Sequence, residues 1–266
     1  MKSLLKTALP YPLITSARKA YHFGTARTCS CCGSSVRRFL DQGYGHPVLE
    51  RLQVIGGMYK RDDRCPVCHA SDRDRLVLFY LKRNVLTQAG PKLAILHFAP
   101  EKSISGVLVA LDERIDYVAG DLEPERYYHL AGVMKLNLLA IDRPDASADV
   151  VICNHVLEHI VDDMRAMKEI FRVLKPGGVA ILQTPISARL QAIIEGDGSE
   201  SPETKIALYG QSDHVRIYTH ADYVSRLETT GFAVEPYMAY DDDQDLALAD
   251  NLNPFEVLYA CRKPAA

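Results

Sequence analysis

Two cysteine pairs, Cys29-Ser-Cys-Cys32 and Cys65-Pro-Val-Cys68, carry the plainest chemical signal in the sequence. Each pair is short enough for one turn to aim two thiolates at a single ion, and two such pairs close a four-sulfur tetrahedron with no exchangeable position. That donor set suits structural zinc, whose binding would stabilise a segment too small to hold itself together by burial. Tetrahedral sulfur ligation also admits an iron–sulfur centre. Cys31 lies inside the first pair and His69 directly follows the second, so either could replace a ligand, whereas Cys153 and Cys261 read as buried strand residues. Arg37, Arg38, Arg61, Arg64, Arg73 and Arg75 crowd the same region, with Tyr44 and Tyr59 among them. Arginine forks read phosphate or carboxylate oxygens and tyrosines stack on sugars or bases, so the segment suits a phosphorylated glycan or RNA. The same charges could equally form a solvated face that covers a neighbouring cleft.

The elements that must hold these residues differ along the chain. Glycines at 33, 43, 45, 56 and 57 and Pro47 punctuate brief apolar pieces between Cys29 and Lys60, which predicts a small module of short hairpins. Ser71-Asp-Arg-Asp then caps a helical pattern running from Arg75 towards Gly90-Pro91, a helix able to link two domains. Beyond Pro91 strand and helix alternate: strand-like 93–99, helix-like 104–113, strands at 115–121, 135–138 and 149–155, a helix at 164–174, the turn 175–178 and a strand at 179–185. A polar insert at 195–214, a helix near 220–230 and a last strand at 255–261 complete it. This alternation predicts an α/β fold, a doubly wound, mostly parallel sheet with ligands at the carboxyl ends of its strands. The expected organisation is a lead-in over 1–25, a zinc-binding module with its linker helix over 26–90, and the α/β domain over 91–266.

DVVICNHVLEHI at 149–160, followed by an amphipathic helix and LKPGGVAILQTP at 174–185, resembles the second half of a Rossmann-like S-adenosylmethionine-dependent methyltransferase. The resemblance covers about 93–266. LHFAPE at 96–101, Gln211-Ser-Asp-His-Val-Arg and the two cysteine pairs are similar, more narrowly, to bacterial methyltransferases fused to a zinc-binding module.

The resemblance implies S-adenosylmethionine as cofactor and assigns residues to it. Asp121, ending the second strand, would accept the ribose hydroxyls through charge-assisted bonds. Asn137 and Leu138 stand where the family contacts adenine, and Asn154 and His155 leave the fourth strand beside the sulfonium. The first strand carries His97-Phe98-Ala99-Pro100-Glu101 where relatives carry an acid and Gly-x-Gly. Ala99 is small enough for close approach, Glu101 would supply a carboxylate to the methionine ammonium, and His97 occupies the usual place of the acid. Methyl transfer needs alignment and, for many acceptors, removal of a proton. His214, His155 and His159 are the candidate bases, with Glu158 as an acidic alternative and Asp213 as an orienter of His214. His155 and His159 would share a face if their segment were helical.

Composition is consistent with this reading. The chain has 266 residues, 47% hydrophobic and 24% charged, enough to bury a core, and no stretch matches a membrane-spanning helix. The net charge of -3 divides unevenly: residues 1–92 carry 16 basic against 6 acidic residues, a balance of +10, and residues 93–266 carry 15 against 28, a balance of -13. A basic front half points to an anionic partner or to attraction between the two parts. Seven cysteines, five in the basic part, do not form an even-numbered disulfide framework, and the proline-broken N-terminus does not read as a secretory signal, so a reducing cytoplasm is expected. The reading reached is a cytoplasmic methyltransferase with structural zinc, O-methylating a glycan-type or other small anionic acceptor. An RNA or protein methyltransferase is the alternative that the basic module favours. A non-catalytic zinc adaptor is the one that the HFAPE segment favours.

Overall fold

Side chains along the central strands alternate between two apolar layers, and that alternation fixes the architecture. The computed structural model describes residues 11–87, 92–111, 113–128 and 130–265; the first ten residues of the lead-in lie outside this range. Helix α1 (Tyr11–His22) leads into β1 (Phe23–Thr28), which pairs antiparallel with β2 (Ser35–Val36). Then come β3 (Leu40–Gln42), α2 (Pro47–Arg51), β4 (Val54–Ile55) and β5 (Lys60–Arg64), with β3 and β5 forming a second antiparallel pair. The turn-rich sequence thus yields one short hairpin, β1–β2, whereas β3 and β5 pair across the intervening α2 and β4.

Helix α3 (Asp72–Asn84) begins three residues earlier than its apolar pattern suggests, because Ser71 and Asp74 form a reciprocal capping box. Rather than bridging open space, it lies against the main sheet. Leu76, Val77, Leu78 and Leu81 pack with Ile95, Ile104, Val150 and Ile152. Arg75 is fully buried beneath it, over the Phe39 ring at 4.5 Å, and donates to the carbonyls of Asp63, Ala70, Asp250 and Asn251. This arginine therefore splices the cysteine-bearing segment to the C-terminal loops and is not available to an external anion. Lys60 adds a second tie, 2.6 Å from Asp72 and 3.4 Å from Glu256.

The main sheet takes β6 (Leu93–Phe98), then after α4 (Lys102–Val109) β7 (Ile115–Asp121), β8 (Met134–Lys135) and β9 (Ala148–Cys153), and after α5 (Asp163–Val173) β10 (Leu174–Ile181). The chain then forms β11 (Ile186–Ser187), β12 (Ile194–Glu195), α6 (Pro202–Tyr209), β13 (Arg216–Thr219) and α7 (His220–Thr229). It ends with β14 (Ala233–Tyr237), α8 (Ala239–Asp242), α9 (Gln244–Ala249) and β15 (Leu258–Arg262). The seven-stranded order is β14-β15-β10-β9-β6-β7-β8, and β15 alone runs against the rest. Val150 and Ile152 face the layer of α3 and α4, while Val151 and Cys153 face the layer of α5 and α7. Connections diverge from β6 and β9 in opposite directions, so the crevice beyond their carboxyl ends is the expected ligand position of a doubly wound sheet.

Three details depart from the sequence expectation. The third strand is only two residues long because the Asn137 side chain accepts the Leu139 amide and turns the chain away from the ladder. Lys175-Pro-Gly-Gly is not a turn before the fifth strand but a bulge within it, with the register shifting between Leu174 and Val179. Finally, β4 from the N-terminal segment pairs with β11, joining the small sheet β12-β13-β11-β4. The two parts of the chain share a sheet.

Candidate active site and cysteine cluster

A cleft of about 510 Å³ opens beyond the carboxyl ends of β6, β7 and β9. Ala99, Asp121, Asn137, Leu138 and His155 all line it, so five residues expected to meet a cofactor converge. Ala99 adopts a left-handed φ of 47°, a conformation that ordinarily favours glycine, and its amide bonds to the Gly120 carbonyl. The backbone therefore makes a tight turn of the kind that glycine ordinarily supplies. One Asp121 oxygen accepts the Glu123 amide and the other the Tyr127 hydroxyl, both at 2.8 Å. A carboxylate has about four acceptor sites, so among the described residues two stay open for a ligand diol. Leu136, Leu138, Leu139 and Ile160 supply apolar wall beside it. The residues fit an adenosyl ligand: an acceptor for its diol, an apolar wall for its base and close backbone approach.

His97, Glu101 and Asn154 sit behind this cleft and do not line it. His97 is fully buried, with Nδ1 2.9 Å from the Tyr117 hydroxyl and Nε2 2.7 Å from Glu101. The other Glu101 oxygen accepts from the Asn154 amide at 3.2 Å. Burial, the largest single influence, works against the Glu101 charge, but the bond and charge of His97, a backbone bond and the Asn154 bond together hold the carboxyl below its ordinary range. Glu101 opens instead into the neighbouring cavity, and His97 and Asn154 fix its direction.

That neighbouring cavity, about 670 Å³, is roofed by the N-terminal segment. Tyr44, Gly56, Arg64, His69 and Arg73 come from the roof, and Lys102, Glu158, His159, Gln211 and His214 from the α/β side. His155 and His159 line both spaces. Gly56 needs its lack of a side chain, since a Cβ there would stand 3.2 Å from the His155 ring at a φ of +83°. Arg73 donates to the Gly56 carbonyl and lies 2.8 Å from His155 Nε2 and 2.9 Å from Nδ1, so one of the two ring nitrogens accepts from it. Burial first, and the Arg73 charge second, lower the His155 pKa to about 4. A neutral imidazole of such low basicity is a poor proton acceptor at neutral pH.

The corner between the two spaces is built by Glu158, His159 and His214. Leu157–His159 forms a 3-10 turn, not an α-helical one, and β13 pins it: Val215 donates to the Glu158 carbonyl, and Arg216 to the carbonyls of Leu157, Ile160 and Val161. Arg216 is thus a buried brace. His155 precedes the turn at a φ of 54°, so His155 and His159 meet across the junction without sharing a helix face. The rings of His159 and His214 stand edge to face at 4.6 Å. Asp213 turns to His159, whose Nδ1 lies 3.4 Å from the carboxylate and 3.3 Å from the carbonyl, and does not orient His214 as the sequence suggests. Glu158 is 1% exposed; burial would raise its pKa, but His155 and the other two histidines lower it to about 2. Burial also lowers the pKa of His214.

The four predicted cysteine sulfurs converge, all within 4.8 Å of one another. Cys29 and Cys68 sulfurs are 3.6 Å apart and those of Cys32 and Cys65 3.9 Å. A tetrahedron with metal–sulfur bonds of about 2.3 Å has edges of roughly 3.8 Å, so the spacing fits one zinc-sized ion. Gly33 and His69 take left-handed backbone conformations after each pair, and Val67 donates its amide to the Cys65 sulfur at 3.4 Å. Cys31 is outside the four and packs among apolar neighbours. Cys153 and Cys261 are buried on their strands.

Of the six arginines near the pairs, only Arg64 and Arg73 line the roofed cavity. The hydroxyl of Tyr59 is tied to Asp41 at 2.6 Å. Sequence reasoning did not single out Gly56, Lys102 or Ser103 as part of this site. Their signal is tertiary, arising only when β4 joins the α/β side.

Residues 105–182 match the family described as Methyltransferase domain. A Mycolicibacterium smegmatis protein named "Probable S-adenosylmethionine-dependent methyltransferase" is 35% identical over 114 residues, covering 43% of this chain and 40% of that protein. A Mycobacterium tuberculosis protein of the same description is 41% identical over 58 residues, 22% of this chain and 21% of that one. The chain thus matches less than half the length of these curated relatives. Among solved structures, Haemonchus contortus phosphoethanolamine N-methyltransferase 2 aligns at 15% identity and a TM-score of 0.47, covering 83% of this chain and 57% of that one. The [4+2]-cyclase SpnF aligns at 17% identity and a TM-score of 0.42, covering 73% and 81% respectively; neither structure bears on the reaction here. Among the described residues no helix is long and apolar enough to cross a membrane. Sheet order, strand-end cleft and sequence matches together set a methyltransferase-domain match over residues 105–182 within a doubly wound sheet, beside an N-terminal four-cysteine cluster.

Proposed function

We propose that the chain is an S-adenosylmethionine-dependent methyltransferase that methylates an oxygen of a small anionic, glycan-type acceptor, with zinc as a structural ion in the four-cysteine cluster. The observation that carries this reading is the junction at His155 and His159, which line both the strand-end cleft and the roofed cavity. A methyl donor in one space would meet a nucleophile in the other across that junction. The bound cofactor supplies an already activated methyl group, so the protein's task is placement and proton handling.

Asp121 would hold the ribose, Leu138 and Asn137 the adenine, and Ala99 and His155 the backbone edge near the reacting centre. Glu101, presented by His97 and Asn154, would face the acceptor side or the ammonium end of the cofactor. Arg64, Arg73 and Lys102, set among Asp41, Asp74, Glu101 and Glu158 in the same lining, suit an acceptor that carries both anionic groups and hydroxyls, and a cavity of about 670 Å³ favours a small one over a nucleic-acid duplex. Activation of the acceptor is assigned to the corner of Glu158, His159 and His214, with Asp213 orienting His159. The zinc-bearing segment contributes the roof, and its four reduced thiolates suit a cytoplasmic setting.

The test is incubation of the zinc-loaded chain with methyl-labelled S-adenosylmethionine and separate panels of carboxylated or phosphorylated sugars, RNA and peptides. Label on a sugar oxygen supports the reading. Label on RNA, with binding that falls steeply as salt rises, or on a peptide would replace the acceptor class. Absence of cofactor uptake would favour the zinc adaptor.

A further inference from the structure

The corner between the two spaces has the composition of a metal centre distinct from the cysteine cluster. Glu158, His159 and His214 bring one carboxylate oxygen and two imidazole nitrogens within 4.8 Å of one another. Two imidazoles and one carboxylate, held by three protein side chains, are the donor set of open zinc sites and of other divalent transition metals. The four-cysteine cluster, by contrast, is closed.

The surroundings of each donor point the same way. Glu158 is almost wholly buried, Thr184 donates to its Oε2 at 3.2 Å, and among the described residues Oε1 has no hydrogen-bond partner. His155 Nδ1 is 3.2 Å from that oxygen but not aligned to bond it. An orphaned carboxylate oxygen in a buried position costs free energy unless something satisfies it. His159 turns Nδ1 to the carboxylate and carbonyl of Asp213, leaving Nε2 as its remaining donor. A ligating histidine characteristically has its other nitrogen held by a carboxylate or carbonyl, which fixes the ring. His214 is 3% exposed, and among the described residues no hydrogen bond engages its ring nitrogens.

We propose that Glu158, His159 through Nε2, and His214 bind one divalent transition-metal ion whose open coordination position faces the roofed cavity. Its ligand there would be an oxygen of the acceptor, a hydroxyl or a neighbouring carboxylate or phosphate oxygen. The role in activating the acceptor rests on the methyltransferase reading; the metal site itself does not. An ion at this position would lower the pKa of a coordinated hydroxyl and set its distance from the cofactor cleft. Thr184 and Asp213 then act as positioning residues for the ligands.

The test uses the full chain with its cysteine cluster first saturated with zinc and excess metal removed. Cobalt(II) is then titrated in and followed by visible absorption. One equivalent binding with ligand-field bands and no sulfur-to-metal charge transfer is expected. Glu158→Gln and His214→Ala should weaken that binding more than about 100-fold, since even the groups that merely hold a metal's ligands in place are worth about 10–100-fold. His159→Ala, at a half-buried position, provides a variant with little risk to folding. Failure of the wild-type chain to bind, binding that brings thiolate charge transfer, or equal affinity in the His159 variant would each overturn the site. S-adenosylmethionine uptake is measured on the same samples. Cobalt binding without cofactor uptake would count against the methyltransferase reading alone, and cofactor uptake without cobalt binding against the metal site alone.

Discussion

Replacing Asp121 by alanine should weaken S-adenosylmethionine binding on the order of 100-fold while leaving the fold nearly intact. The Asp121 carboxylate already accepts the Glu123 amide and the Tyr127 hydroxyl, each at 2.8 Å, so its direction is set before any ligand arrives. Its two open acceptor sites would take the two ribose hydroxyls, and a hydrogen bond to a charged group contributes roughly 1.5–3 kcal/mol. Because the side chain is only half-buried, the lower figure applies to each bond. Their sum of about 3 kcal/mol converts to slightly more than a hundredfold in Kd, at 1.4 kcal/mol per tenfold. The two internal bonds also disappear, but at this half-buried strand end their loss should cost about 1 kcal/mol of stability, a few degrees in Tm. Isothermal titration of wild type and variant, with thermal unfolding of both, separates the two effects. A Kd within threefold of wild type, with the fold intact, would refute the placement of the ribose at Asp121.

Other consequences are as direct. Cys65→Ser should abolish the one zinc that survives dialysis against a chelator, and should unfold the segment whose own buried core is little more than Val36, Phe39, Val67 and Ala70; retention of that zinc, measured by native mass spectrometry, would contradict the four-sulfur site. Arg75→Ala strips donors from four buried or half-buried carbonyls and should cost about 3–5 kcal/mol in denaturant unfolding; weakened anion binding without lost stability would return Arg75 to the recognition surface. His214→Ala should lower turnover far more than cofactor affinity, and equal losses in both would remove it from the acceptor side. Burial, with the Glu101 charge second, pushes the Asp74 carboxyl from 3.8 up to about 6, so the protonated form is favoured in the folded state. Its contribution to stability is complete below pH 3.8 and is lost as pH rises through about 6, a swing of roughly 3 kcal/mol. Asp74→Asn keeps an acceptor for Ser71 and Ser103 and should therefore match wild type near pH 4 and exceed its stability near pH 7.5; a gap constant with pH would contradict this.

Much of the α/β half was legible because its signals are local. Period-two apolar runs give β6, β7 and β9 to within a residue or two, and Asp121 ends β7 as expected. Ala99 was legible as a small residue, but its left-handed backbone shows only in three dimensions. The third strand was overextended because Asn137 diverts its backbone into a local side-chain bond. The cysteine spacing located the cluster because ligand geometry is short-range. The roofed cavity was not legible, since it depends on β4 pairing with β11 more than 130 residues away. For the same reason the arginine cluster read as one surface, when Arg75 is a buried splice and Arg73 a cavity wall. The partnership of Asp213 with His159 instead of His214 likewise follows from how β13 braces the 3-10 turn, which neighbouring positions in sequence do not reveal.

The most direct measurement is native mass spectrometry of the zinc-loaded chain with and without S-adenosylmethionine, run beside Asp121→Ala. The account predicts a zinc-bearing chain that takes up one cofactor per molecule, with uptake lost in the variant at the same cofactor concentration. A zinc-bearing chain that refuses the cofactor, or an Asp121→Ala chain that binds it equally well, would contradict the assignment of the strand-end cleft.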